Sequence, residues 1–278
     1  KAQKRPDQIK KIFEKIKSDG IIDTYNAISS KLNQPFPLGY CNVGRIIDSN
    51  LEEFPIGQRV VSNGYHSEYV VSKKNLMVKI PDNVTSEDAC FSILGSIALN
   101  SIRQLKSSIG ETIVVYGLGL VGLITCKILK ISGFNVIGLE KNDERCKIAD
   151  EDDINVFKYT NEEDLQDFIF NYTDGYGADA VIIAAHAEKQ DLLNSSALIS
   201  KKGGELILLG QVKNEFDRRI FYEKELSFKI SSSYGPGRYD HNYEVNDIDY
   251  PYNYIRWTSN RNISSIVKFL SEKKISFN

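Results

Sequence analysis

TIVVYGLGLVGLITCKILKISGFNVIGLEKNDER, residues Thr112 to Arg145, reads as strand, glycine turn, helix and strand. Ile113, Val114 and Val115 are β-branched and apolar on both faces, as a central parallel strand covered by helices requires. Gly117, Gly119 and Gly122 follow at once as G-x-G-x-x-G. The first glycine permits a tight turn, the second lets backbone approach a pyrophosphate, and the third lets the new helix lie against its strand. Leu120 and Val121 open that helix. Its N-terminus carries about half a positive charge, so a pyrophosphate is held there without a lysine. The helix ends at Gly133, and the strand Val136 to Leu139 delivers Glu140. Glu140 thus lies roughly 20 residues after the first glycine, where an acidic side chain meets the adenosine ribose hydroxyls. A 2′-phosphate beside it would be repelled, which favours NAD over NADP, with Lys141 and Arg145 as adjacent cations acting the other way.

A chain of 278 residues with 41% hydrophobic content is long enough to bury a sizeable core. Its formal charge of −2 offers no electrostatic footprint for nucleic acid or an anionic membrane surface. The longest nearly apolar run, Thr112 to Cys126, contains three glycines and is shorter than the roughly 18 residues a spanning helix needs. Cys41, Cys90, Cys126 and Cys146 show no C-x-x-C or disulfide-framework spacing, and no signal peptide precedes the first charged helix. A cytoplasmic location is expected.

Toward the N-terminus, Ile9, Ile12, Phe13 and Ile16 recur at helical spacing, and a second helix is expected from Ile22 to Leu32, giving a helical hairpin. Short strands follow at Val43–Ile47, Arg59–Val61, Tyr69–Val71 and Met77–Ile80, separated by Gly57, Asn63-Gly64 and Pro81-Asp82-Asn83. Thr85 with Asp88 resembles a capping box for a helix that buries Ile93, Leu94, Ile97, Ala98 and Ile102. Beyond Arg145, strands at 156–158, 180–184, 205–209 and 226–230 alternate with helices at 162–171 and 190–200. Such alternation predicts an α/β fold with a doubly wound, six-stranded parallel sheet in the order 3-2-1-4-5-6. Residues 233–258 interrupt the pattern as a long excursion rich in Tyr, Gly, Asp and Asn, before a last helix near 259–274.

The order of these features resembles the medium-chain dehydrogenase/reductase family, and particular segments carry the resemblance. Phe54-Pro55-Ile56-Gly57-Gln58-Arg59-Val60 is similar to that family's F-x-x-G-D-R-V strand entry, and Gly175-Tyr176-Gly177-Ala178-Asp179-Ala180-Val181 to its G-x-G-x-D-x-V segment. Lys202-Gly203-Gly204-Glu205-Leu206 is similar to its G-G-x-hydrophobic strand start. The stretches 38–44, 221–228 and 233–240 resemble the dehydrogenase half of two-domain bacterial oxidoreductases. The resemblance implies a partial GroES-like β-barrel catalytic domain over 1–84, including the hairpin, and a Rossmann NAD-binding domain over 85–278 that includes the excursion. It also implies more barrel before Lys1, a fused C-terminal oxidoreductase domain beyond Asn278 as a candidate partner, and a homodimer as another.

Zinc-dependent members carry Gly-His-Glu where this chain has Gly39-Tyr40-Cys41, and a phenol is a poor zinc ligand. Metal ligation is therefore not expected. Without a metal, side chains must bind the substrate oxygen and take its proton. Tyr40, at the family's ligand position, is the candidate donor, and His66, between strands the family aims at the cofactor, is the candidate shuttle. His186 after the fourth strand of the sheet and Gly210 at the tip of the fifth are assigned to the nicotinamide end of the cofactor. Tyr234 and Arg238 are candidate substrate residues, Arg238 either clamping a carboxylate or phosphate or pairing with Asp240 or Glu244 to fix its loop. These residues point to a zinc-independent NAD(P)-dependent oxidoreductase acting on a sugar-related or other small alcohol or carbonyl substrate. A catalytically silent NAD(H)-binding module supporting a fused domain, and a quinone or enone reductase, are the alternatives the residues leave open.

Overall fold

The computed structural model describes Gly20 and residues 37–187, 191–213 and 215–277, so the expected N-terminal hairpin lies outside the described residues. Tyr40–Asn278 form one compact unit. It begins with a small antiparallel sheet of β1 (Asn42–Arg45), β2 (Arg59–Ser62) and β3 (Met77–Lys79) in the order β1-β2-β3. In this sheet Val61 stands opposite Val43 on one side and Val78 on the other. The strand expected at Tyr69–Val71 is absent. That segment pairs with no strand, and Val71 is 99% exposed, so its alternating pattern has neither a ladder nor an apolar layer to stabilise it.

Thr85 does cap a helix, accepting a hydrogen bond from the Asp88 backbone N–H at 3.1 Å. The expected single helix is divided at Cys90 and Phe91 into α1 (Ser86–Ala89) and α2 (Ser92–Ile102). The main sheet follows as β4 (Thr112–Tyr116), α3 (Leu120–Ile131), β5 (Asn135–Glu140), α4 (Asp143–Glu151), β6 (Asn155–Lys158), α5 (Glu162–Tyr172) and β7 (Ala178–Ile183). It continues as β8 (His186–Ala187), α6 (Leu192–Ile199), β9 (Ser200–Leu208), β10 (Gln211–Val212), α7 (Arg218–Glu223) and β11 (Ser227–Ile230). The six long strands are parallel in the order β11-β9-β7-β4-β5-β6, the doubly wound order expected. The side-chain period of two divides its core cleanly. Ile113 and Val115 pack on one face with Ile124 and Ile128 of α3. Val114 and Tyr116 pack on the other with Leu165 of α5 and Leu192 of α6.

The excursion is less irregular than its composition suggests. It contains α8 (His241–Glu244), capped by Asp240, and leads to α9 (Ser259–Ser271), capped by Thr258. Asn75 before β3 donates to the Tyr243 carbonyl at 3.0 Å, and Asn260 of α9 donates to the Met77 carbonyl at 3.0 Å. Val61 and Ile80 share one apolar cluster with Ile93 and Ile266. The small sheet is thereby fastened over the excursion and α9, and a cleft forms where it meets the C-terminal edge of the large sheet.

Candidate functional site

The three glycines of the β4–α3 turn have three separate physical reasons. Gly117 sits at φ 91°, and a Cβ there would come within 2.9 Å of Ala185. A Cβ on Gly122 would lie 1.9 Å from the Gly117 carbonyl oxygen, so any side chain pushes α3 away from β4. Gly119 differs. It has an ordinary φ of −69° and precedes Leu120 at the helix start, yet nothing in the protein lies within 4 Å of where its Cβ would be. The space over Gly119 faces the first turn of α3, whose N–H groups have no intrahelical acceptor. Open space beside unpaired helix N–H groups is the arrangement a pyrophosphate would need, so these residues are compatible with a dinucleotide.

Glu140 ends β5 and is only 8% exposed. Its Oε2 accepts from the Leu118 N–H at 3.0 Å, and its Oε1 accepts from the Lys141 and Asn142 N–H groups at 2.7 and 3.1 Å. Burial by itself would raise its pKa, but these backbone donors and the Arg145 guanidinium 3.5 Å away outweigh it and hold the carboxyl below the usual range. Glu140 is therefore a fixed anion that also ties the glycine turn to the tip of β5. Of the two neighbouring cations, Lys141 lies over the Tyr159 ring at 4.5 Å, and Arg145, in the first turn of α4, keeps its side chain half exposed.

His186 is exposed and opens β8, which pairs in parallel with β10, opposite Gln211. This places it beyond the C-terminal end of β7, on the edge where ligands of open α/β sheets bind. Gly210 has a packing reason of its own, because a Cβ there would sit 2.0 Å from the Ala185 carbonyl oxygen.

At the same edge a cleft of about 370 Å³ is lined by Tyr40 and Asn63 from the small-sheet side, and by Leu209, Ser233, Tyr234 and Arg238 from the other. Tyr40 is 46% exposed at its mouth. Partial burial, then Cys41 and Tyr239, raise the Tyr40 pKa, so the group remains a phenol able to donate. His66 is exposed in the turn after β2 and is not part of the cleft lining. Tyr234 is buried, and Arg238 pairs with Glu244 rather than Asp240, whose carboxylate accepts from Tyr250. Asn63 had been legible only as a turn residue beside Gly64, with no local signal for a place in the cleft.

Among the described residues no three His, Cys, Asp or Glu side chains come together as a metal site. Burial, and secondarily Cys90, push the Cys41 thiol up to about 12. No helix of the described residues is long and apolar enough to cross a membrane.

Residues 121–246 match the zinc-binding dehydrogenase family. A sorbitol dehydrogenase of Halalkalibacterium halodurans is 29% identical over 208 residues, covering 72% of this chain and 59% of that protein. A D-arabitol-phosphate dehydrogenase of Enterococcus avium is 28% identical over 204 residues, covering 71% of this chain and 57% of that protein. The chain thus matches less than two thirds of the length of these relatives. Among solved structures, 2R,3R-butanediol dehydrogenase from Bacillus subtilis superposes with a TM-score of 0.69 at 18% identity, covering 88% of this chain and 71% of that one. Galactitol-1-phosphate dehydrogenase from Escherichia coli superposes at 0.70 and 15% identity, covering 89% and 78%.

Proposed function

We propose that this chain, which belongs to the alcohol dehydrogenase-like medium-chain dehydrogenases/reductases, is an oxidoreductase that uses NAD on a sugar-related or other small alcohol. The observation that carries the reading is the open space over Gly119 at the start of α3, with the Glu140 carboxylate fixed beside the same turn. Bound there, a nicotinamide dinucleotide supplies the hydride acceptor or donor. The chain's own part is to hold the pyrophosphate on the α3 N–H groups, to set the Glu140 charge against a 2′-phosphate, and to lead the nicotinamide past His186 and Gly210. Tyr40 then donates a hydrogen bond to the substrate oxygen. The proton leaves through the open mouth of the cleft to His66, by way of solvent.

Calorimetry with both cofactors tests the binding part of this reading. NAD is expected to bind at least about tenfold more tightly than NADP, equivalent to about 1.4 kcal/mol. Glu140→Gln should shrink that preference. Equal affinities for the two cofactors would show that Lys141 and Arg145 decide the site.

The reading also assigns no metal to the chemistry, on the strength of the Tyr40-Cys41 donor set. Protein purified without chelator should hold far less than one zinc per chain. Turnover should be unchanged by chelator. One equivalent of zinc lost together with activity would refute this part.

A further inference from the structure

The end of the excursion builds a ladder of rings and guanidinium groups that the cofactor and substrate sites do not use. Trp257 is the single tryptophan of the chain. The Arg103 guanidinium carbon lies 3.4 Å from the centre of its ring, and the Arg256 guanidinium carbon 4.8 Å. Arg256 also lies 4.5 Å from the Tyr252 ring, and Arg261 lies 5.1 Å from that same ring. The order is therefore Arg103, Trp257, Arg256, Tyr252, Arg261. A guanidinium attracted to an aromatic face keeps its N–H donors at the edge, where an anion can meet them.

The charge on this ladder is unbalanced. Arg261 pairs with Asp249. The other arginine ion pairs among the described residues are Arg145–Glu140 and Arg238–Glu244, so neither Arg103 nor Arg256 has a carboxylate partner there. Arg103, which closes α2, donates instead to the neutral Asn262 Oδ1 and, at 3.1 Å, to Ser265 Oγ of α9. Burial, and next the Arg256 charge, lower the Arg103 pKa to about 10. Two like charges held on one ring favour an anion that offsets both.

The ladder is within reach of a partner. Arg256, Trp257 and Tyr252 are exposed, and Tyr254 beside them is 88% exposed. Trp, Tyr and Arg together make the composition of the energetic centres of protein–protein interfaces. These residues line neither the cleft nor the cavity of about 690 Å³ along β1, so they stand outside the concave places that hold small ligands. The formal charge of −2 on the whole chain supplies no wider positive field for a polynucleotide.

We propose that Arg103, Arg256 and the rings of Trp257 and Tyr252 form a docking surface for an acidic segment of a protein partner, with a carboxylate taking paired hydrogen bonds from the edge of the Arg256 guanidinium. The proposal uses none of the residues of the oxidoreductase reading and stands apart from it.

The lone tryptophan makes the test local, because fluorescence of the full chain reports on Trp257 alone. An end-blocked hexaglutamate peptide should change that fluorescence saturably, and hexaglutamine should bind at least about tenfold more weakly. Added salt should weaken the acidic peptide. Arg256→Gln should cost it at least about tenfold, the share of one charge-assisted hydrogen bond, with the melting temperature unchanged. Arg256→Lys keeps the charge without the planar fork, and should still cost at least about threefold. Arg219→Gln, on α7, should leave binding as it was.

Hexaglutamate that gives no saturable change would overturn the proposal, as would equal affinity for the two peptides. Arg256→Lys or Arg256→Gln binding like the wild type would also overturn it, and so would an equal loss in Arg219→Gln, since the attraction would then be diffuse. Inorganic phosphate or an octathymidylate binding more tightly than hexaglutamate would assign the ladder to a free anion or to nucleic acid instead. A wild-type dimer in sedimentation that Arg256→Gln dissolves would assign it to a second copy of this chain.

Discussion

Gly119→Ala is expected to leave the fold intact and to cost the protein its cofactor, whereas Gly122→Ala, three residues on in the same motif, is expected to damage the fold itself. Alanine adopts the φ of −69° found at position 119 without strain, and its methyl group meets nothing of the protein. Removing a glycine from the unfolded ensemble at such a position stabilises by about 0.4–1 kcal/mol, so the melting temperature should hold or rise slightly. The same methyl group occupies the space where the pyrophosphate must approach backbone. NAD affinity should therefore fall by at least about tenfold. At position 122 the methyl would lie 1.9 Å from the Gly117 carbonyl oxygen, which is backbone and cannot rotate away. Forcing α3 off β4 should cost about 1–3 kcal/mol or more and lower the melting temperature by several degrees. Thermal unfolding and calorimetry on the two variants decide the matter. A Gly119→Ala protein that binds NAD like the wild type would mean that the pyrophosphate passes elsewhere.

Tyr40→Phe should lower kcat by at least about tenfold, within the roughly 10²- to 10⁴-fold that positioned acid–base groups contribute, with cofactor affinity nearly unchanged. The phenol lines the cleft at its mouth, and its raised pKa keeps the proton on oxygen past the ordinary tyrosine range. The donor form should therefore persist through neutral and mildly alkaline pH, with no loss of kcat there from this group. His66→Asn should also lower kcat. If His66 receives the same proton through solvent, the double variant should fall by less than the product of the single effects. Its exposed place outside the cleft lining makes Tyr40 the larger of the two contributions. Wild-type turnover in Tyr40→Phe would move the donor role to another hydroxyl of the cleft lining, with Ser233 and Tyr239 the first to test.

The two predictions draw on information of different range. Gly117, Gly119 and Gly122 lie within six residues of one another, and the strand before them and the helix after them are written in apolar periodicity. Hence the turn, the sheet order and the placement of Glu140 at a strand tip could be read directly. Tyr40 reached the cleft list only through resemblance. His66 was singled out by the proton chemistry of an imidazole and, like Tyr40, by resemblance, neither of which fixes where a side chain points.

Local pattern determined the β4–α3–β5 unit, the parallel sheet built around it and the cap at Thr85, because backbone hydrogen bonding and side-chain periodicity act over a few residues. Tertiary structure decided the rest. It left Tyr69–Val71 without a partner strand, joined Arg238 to Glu244 instead of Asp240, and gave Gly210 a packing partner in Ala185. It also brought Asn63 to the same cleft as Tyr234 and Arg238, from positions some 170 residues away. Such meetings depend on how the small sheet seats on the excursion and α9, through contacts such as Asn75 to Tyr243 and Val61 with Ile266. Packing of distant elements, rather than any local periodicity, sets those positions.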